Sequence, residues 1–273
     1  MPIKKDPSGR RSIEAEVEVP GTPEEVWKAI ASGPGISSWF VPSTVEERVG
    51  GKAIASFGPG MDAACTITTW DPPRRYVVDG VEEPGSVATE WIVEARAGGT
   101  CIVRVVHSWF ASNDDWDAQF EQHEQGWHSF FRNLRLYLTY FRGEPSSLIA
   151  LTGFGPEPKD KAWGALTGLL GIANAAVGRR VQSGPGAPSL AGVVERVGEE
   201  AYPEELLLRL DQPCGGVAHL FAMPMGGQVI LSIRLYLHGQ KASGVAAEVE
   251  PSWQAWVSRH FPAADTAGTA GTA

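Results

Sequence analysis

From Ser12 to Val19 apolar and acidic residues alternate, with Ile13, Ala15, Val17 and Val19 on one side and Glu14, Glu16 and Glu18 on the other. A period of two predicts a strand buried on one face. Pro20-Gly21 ends it. Thr22-Pro23-Glu24-Glu25 then supplies an N-cap, a first-turn proline and the glutamate of a capping box, so a short helix to about Ala31 follows, stopped by Gly33-Pro34-Gly35. Between Trp39 and Phe110 short apolar runs are punctuated at Val49-Gly50-Gly51, Phe57-Gly58-Pro59-Gly60, Asp71-Pro72-Pro73, Glu83-Pro84-Gly85 and Ala97-Gly98-Gly99, the spacing of an antiparallel meander. In its last two runs Val87, Thr89, Trp91, Val93 and Ala95 share a face, as do Cys101, Val103, Val105, His107 and Trp109, which directs His107 and Trp109 to the covered side.

From Asp114 to about Arg142 the pattern changes to a helical stripe of Trp116, Phe120, Trp127, Phe130, Phe131, Leu134, Leu138 and Phe141, broad enough to lie across a sheet, with His123 inside it. Gly126 interrupts the stripe, which implies a close approach or a bend. The segment from Gly143 to Lys161 has three prolines and three glycines and reads as a linker. Beyond it come a Gly/Ala-rich helical run at Ala162–Val177, strand candidates at Leu190–Val197, Glu205–Leu210, Val217–Ala222 and Gln228–Leu237, and a helix from about Lys241 to His260. The expected class is α+β: a curved antiparallel sheet wrapped around a long C-terminal helix over 12–143, a linker at 144–160, a smaller α+β unit at 161–262 and a disordered Ala/Gly/Thr tail at 263–273.

Of 273 residues 43% are hydrophobic, enough for one large core or two smaller ones without staples. The three cysteines, Cys65, Cys101 and Cys214, are widely spaced with no CxxC pair, which excludes a disulfide framework and fits a reducing compartment. The basic N-terminus lacks the apolar stretch of a signal peptide, and no segment has the roughly 18 apolar residues of a membrane span, so the expected location is cytoplasmic. With 23 basic against 32 acidic residues there is no stripe for nucleic acid. Ten tryptophans are many for this length; they suit either a small-molecule pocket or plain core packing.

Residues 12–143 resemble the SRPBCC superfamily of START-like, birch-pollen-allergen-like helix-grip proteins, and within it the bacterial branch related to the activator of heat-shock-protein ATPase. The likeness is carried by Thr22-Pro23-Glu24-Glu25-Val26-Trp27, Ser38-Trp39-Phe40, Val49-Gly50-Gly51, Trp70-Asp71-Pro72-Pro73-Arg74-Arg75, Gly98-Gly99-Thr100 with His107-Ser108, and Gly126-Trp127, in family order. It implies a cavity between sheet and long helix, used for apolar ligands and sometimes for catalysis, but no universal catalytic residue and no cofactor. The second half is similar to the extension that some longer bacterial members carry, at Leu235-Tyr236-Leu237-His238-Gly239, Trp253-Gln254-Ala255-Trp256 and His260-Phe261-Pro262.

The expected pocket wall is Trp39, Phe40, Trp70, Trp91, Trp109, Phe120 and Trp127, with His107 and His123 as its polar groups and Asp62 as the carboxylate to consider if there is catalysis. Two histidines on facing elements can act as acid and base or donate to a carbonyl; interior histidines also often only hydrogen-bond. His123, Glu124 and His128 do not make a metal site, because residues five apart on a helix face differently, unlike an i, i+4 pair. Cys65 and Cys101 have no basic neighbour in sequence and read as small buried hydrophobes. Gly98-Gly99-Thr100 lacks the lysine of a phosphate loop, and Ser37 and Ser38 lack a nucleophile elbow. Binding of an apolar or aromatic small molecule is the leading function; a polyketide cyclase or dehydratase type of enzyme and a chaperone-associated module, with a protein partner or a homodimer, are the alternatives.

Overall fold

The computed structural model describes residues 4–5, 10–57, 61–82, 85–110, 117–199, 202–225 and 227–263, with the side chains of 5, 82, 85, 110, 117–125 and 225 outside the description. The chain divides into two units, 1–144 and 145–273.

In the first unit the strands are Lys4–Lys5 (β1), Arg10–Pro20 (β2), Ser43–Val45 (β3), Lys52–Ser56 (β4), Asp62–Asp71 (β5), Arg75–Glu82 (β6), Gly85–Arg96 (β7) and Thr100–Phe110 (β8). Helices Pro23–Ala31 (α1) and Gly33–Ser37 (α2) follow β2, and Asp117–Tyr140 (α3) follows β8. The start of α1 is fixed as its residues require: Glu25 N–H donates to Thr22 Oγ1 (3.3 Å) and Thr22 N–H donates to Glu25 Oε2 (2.9 Å), with Pro23 in the first turn. The sheet order is β1-β2-β8-β7-β6-β5-β4-β3, every neighbouring pair antiparallel.

One face of this sheet is apolar. Ala15, Val19, Ile67, Val78, Trp91, Val93, Val103 and Val105 meet Val26, Trp27 and Ile30 of α1 and Phe131, Leu134 and Leu138 of α3 in one core. Each such side chain contributes about 1.5–3 kcal/mol by leaving water, so this contact outweighs the polar face. There Arg104 bridges Glu14 (3.0 Å), Glu16 (3.2 Å) and Glu94 (3.3 Å), partly exposed pairs worth at most about 1 kcal/mol each.

The second unit consists of Ser146–Gly155 (β9), Lys159–Leu170 (α4), Arg180–Gln182 (β10), Ala191–Glu199 (β11), Tyr202–Gln212 (β12), Gly216–Met225 (β13), Gln228–His238 (β14) and Ala242–His260 (α5), in a sheet ordered β10-β11-β12-β13-β14-β9. It has the first unit's connection order: the first long strand pairs with the last (β2 with β8, β9 with β14), helix follows that first strand, and a long helix ends the unit. Its core is Ile149, Leu206, Leu208, Leu220, Ile233 and Leu235 against Leu166 and Leu170 of α4 and Trp253 and Val257 of α5.

Residues 144–160 are therefore not a linker. Ser146–Gly155 pairs with β14 along its whole length, from Ser146 opposite His238 to Gly155 opposite Val229. Pro145, Pro156 and Pro158 lie outside the strand and do not interrupt its ladder, while the two glycines inside it make room. A Cβ on Gly153 would sit 2.7 Å from that of Phe261, and one on Gly155 2.6 Å from that of Ala162. Of the expected tail, 264–273 lies outside the described residues. Gly126 also departs from expectation, since a Cβ there would meet nothing within 4 Å and no close approach requires it.

Two expected outcomes follow from these placements. Gly126→Ala should stabilise the protein by about 0.5–1 kcal/mol, read as a higher urea midpoint at unchanged slope, because the helix gains propensity without a clash. His238 is 4% exposed, and burial pushes its imidazole down from 6.5 to about 4. The unfolded chain therefore binds a proton below pH 6.5 that the folded unit refuses until about pH 4. Stability is complete above that window and falls by roughly 3 kcal/mol as pH drops through it; denaturation midpoints between pH 7 and 4 should show this slope, and His238→Gln should flatten it.

Candidate functional site

Register places the candidate residues in rows across the inner face of the first sheet. Because directly opposed residues of antiparallel strands share a face, Ile13, His107, Thr89, Val78 and Ile67 form one row and Arg11, Trp109, Val87 and Gly80 the next. The second row continues through Cys65, whose Sγ would lie 2.8 Å from a Cβ on Gly80, to Ala53, its partner on β4. The face thus has a tall end, with Trp109 fully buried, and a shallow end at Gly80, Cys65 and Ala53.

His107 stands between them, 9% exposed, its Nδ1 hydrogen-bonded to Thr89 Oγ1 at 2.9 Å. With Nδ1 engaged by Thr89, Nε2 is a donor or an acceptor according to the tautomer. On α3, Trp127 stacks on Phe40 (ring centroids 5.3 Å), stands edge-on to Trp91 (5.1 Å) and packs against the Ile13, Val87 and Trp109 cluster. It joins the main core to the row that carries Arg11.

Trp39, Phe40, Trp91, Trp109 and Trp127 are brought together, but the first of them is not a wall residue. Trp39 is fully buried, its Nε1–H donates to Ala29 O (2.9 Å), and Phe40, Trp91 and Phe131 surround its ring. Trp70 packs at the other side of that core, on Trp27 (5.1 Å) and on Tyr76 (5.6 Å), which itself stacks on Trp91 (6.0 Å); Tyr76 OH donates to Ile30 O (2.6 Å) and burial pushes the phenol well above its usual pKa. Asp62 is exposed at the start of β5 and accepts from Ser56 Oγ (2.6 Å), away from His107. The Phe120 and His123 side chains lie outside the described residues, although both positions are in α3.

Cys101 is buried, donates to Gly21 O (3.4 Å), and has its thiol pushed up by burial and then by Glu24 and Glu25, so it is the inert hydrophobe that its sequence context suggests. Among the described residues no group of three or more His, Cys, Asp or Glu is arranged to hold a metal ion. Two open pockets lie elsewhere. One of about 620 Å³ is on the polar face of the first sheet, between Arg10, Thr66, Asp79 and Ser108; one of about 480 Å³ is in the second unit, between Phe154, Gln228 and Pro262.

Arg11 is the residue missed in the sequence. It is 6% exposed and pairs with Trp109, but the alternation read from Ser12 stopped one position short of it. Extending the period of two backward from Ile13 puts position 11 on the buried face, and the cation there was the available signal.

Residues 10–134 match the family described as "Polyketide cyclase / dehydrase and lipid transport". This match, which lies within the first unit, is consistent with the SRPBCC superfamily. The match supports a small-molecule binding or cyclase role for the first unit. Solved structures similar to the chain include the di-domain ARO/CYC BexL from the BE-7585A biosynthetic pathway, at 14% identity over 93% of this chain and 99% of that one, TM-score 0.45. CalU16 from Micromonospora echinospora is 21% identical over 50% and 80%, TM-score 0.41. The Aha1 dimer from Colwellia psychrerythraea is 17% identical over 47% and 96%, TM-score 0.41. No curated protein matches the chain. No helix among the described residues is long and apolar enough to cross a membrane.

Trp39→Ala should cost about 3–5 kcal/mol, the range for removing a fully buried aromatic, and equilibrium urea denaturation of the first unit's signal should report it. A variant that lost ligand binding while keeping its full stability would return Trp39 to the pocket wall.

Proposed function

We propose that the first unit is a helix-grip binder of an apolar, aromatic small molecule, held between the inner face of the sheet and α3, with His107 as its principal polar contact. The observation that carries this reading is the 2.9 Å bond between Thr89 Oγ1 and His107 Nδ1 on that face. It fixes one imidazole nitrogen of a ring 6.5 Å from that of Trp109, and in this reading Trp109 and Trp127 form an aromatic wall and Gly80 and Cys65 a low floor. Flat rings fit such a cleft because aromatic pairs gain from edge and offset contacts beyond their burial. The cyclase alternative draws on the same imidazole, which can take a proton at Nε2 from an acidic carbon and return it to an oxygen.

The test is a fluorescence titration with N-phenyl-1-naphthylamine, a neutral aromatic probe of three rings, beside thermal melts. His107→Ala should weaken binding about fivefold or more, the worth of about 1 kcal/mol for one ligand hydrogen bond, with a small change in melting temperature. Thr89→Val should weaken it less, because the ring loses its orientation and keeps its atoms. Absence of probe binding by the wild type, or a His107→Ala protein that melts early yet binds normally while folded, would overturn the proposal.

A further inference from the structure

Across the two inner-face rows, Ile13 to Ile67 and Arg11 to Ala53, Arg11 is the one residue that carries a permanent charge. Its neighbour Arg10 provides the contrast. Arg10 is exposed on the opposite face, where its Nη2 donates to Ser108 Oγ (2.8 Å), whereas Arg11 is buried in register with Trp109 and Val87 and one row from His107. Taking a guanidinium out of water is costly, and an apolar strand of this length is easily made with an aliphatic residue at that position. A cation kept there supplies donors that an aliphatic residue lacks, beyond those its resident partner takes up. A guanidinium has five N–H donors in a planar fork that matches a carboxylate, enough to serve a resident partner and a ligand together.

Geometry limits the distance between the two polar groups. Arg11 and His107 are diagonal neighbours across β2 and β8, so their backbones are about 7–8 Å apart, a spacing that a two-ring ligand spans. Trp109 stands directly opposite Arg11 on β8, two residues along that strand from His107.

We propose that Arg11 makes this pocket selective for aromatic acids, with a ligand carboxylate, or an equally acidic ring oxygen, at Arg11 and the far edge of the ring system at His107. This rests on the reading of the pocket given above and adds its ligand class.

The experiment is displacement of N-phenyl-1-naphthylamine by 2-naphthoate and, separately, by methyl 2-naphthoate, which keep the skeleton and differ in charge. Wild type should prefer the acid by about tenfold or more, as a charge-assisted bidentate pair implies, and the preference should persist at high salt. Arg11→Met should abolish it with the affinity for the ester unchanged; Arg11→Lys should retain part; Arg10→Met should retain all. Equal affinity of wild type for acid and ester overturns the proposal while leaving a neutral-ligand pocket standing, and the same holds if Arg11→Met or Arg10→Met acts contrary to expectation. If Arg11→Met does not fold, the wild-type ratio together with Arg11→Lys decides, because a purely structural arginine gives no acid preference. Failure of the wild type to bind the naphthylamine at all overturns the pocket itself and this assignment with it.

Discussion

The placement of every candidate group depends on the register of β8 between β2 and β7. Side chains alternate between faces along a strand, so a slip of one residue would move His107, Trp109 and Val105 outward together and bring Arg104 and Ser108 in. What prevents the slip is burial. Cys101, Val103, Val105 and Trp109 are almost wholly excluded from water, and their partners Ala15 and Val19 on β2 and Trp91 and Val93 on β7 face the same way. Arg104 reinforces the choice from the other side, where three carboxylates receive it.

Within that frame the tryptophans divide by what they touch. Trp39 donates its indole N–H to a backbone carbonyl inside the core and cannot leave without a cavity, so its role is packing. Trp127 packs against the main core on one side and the Trp109 cluster on the other, and so joins the two. The inner face is shaped by small residues as well as large ones. Gly80, Cys65 and Ala53 leave the sheet low where Trp109 leaves it high, and that step, together with the Thr89-oriented imidazole, gives the face a shape and a polarity at once.

The second unit shows how the same connection order serves another composition. Its first and last strands pair and its helices cover the leucine-rich side, as in the first unit, but it places a buried carboxylate, Glu205, on the opposite face of its sheet. His219 Nε2 lies 2.9 Å from Glu205 Oε1, and Arg196 bridges the same carboxylate at 3.4 Å. A carboxylate held by two such groups is compensated for its loss of water, which fits a polar seam that specifies one arrangement of the sheet.

By itself the sequence determined the elements whose signals are local. The alternation of β2, β7 and β8, the capping box of α1, the stripe of α3 and the meander's turns all follow from spacing and side-chain chemistry within a few residues, and His107 and Trp109 were assigned to the buried face by parity alone. Tertiary structure decided whatever depends on a partner distant in the chain. β9 was hidden because Gly153 and Gly155, which weaken a strand read in isolation, are the residues that let Phe261 and Ala162 approach it. The Thr89 bond to His107, the low floor where Gly80 meets Cys65, and the separation of Trp70 from Trp109 are likewise products of strand pairing. Arg11 lies between the two cases: its face was legible by counting back from Ile13, but its burial was not, because a cation is withdrawn from water only when the whole sheet and its covering elements close over it.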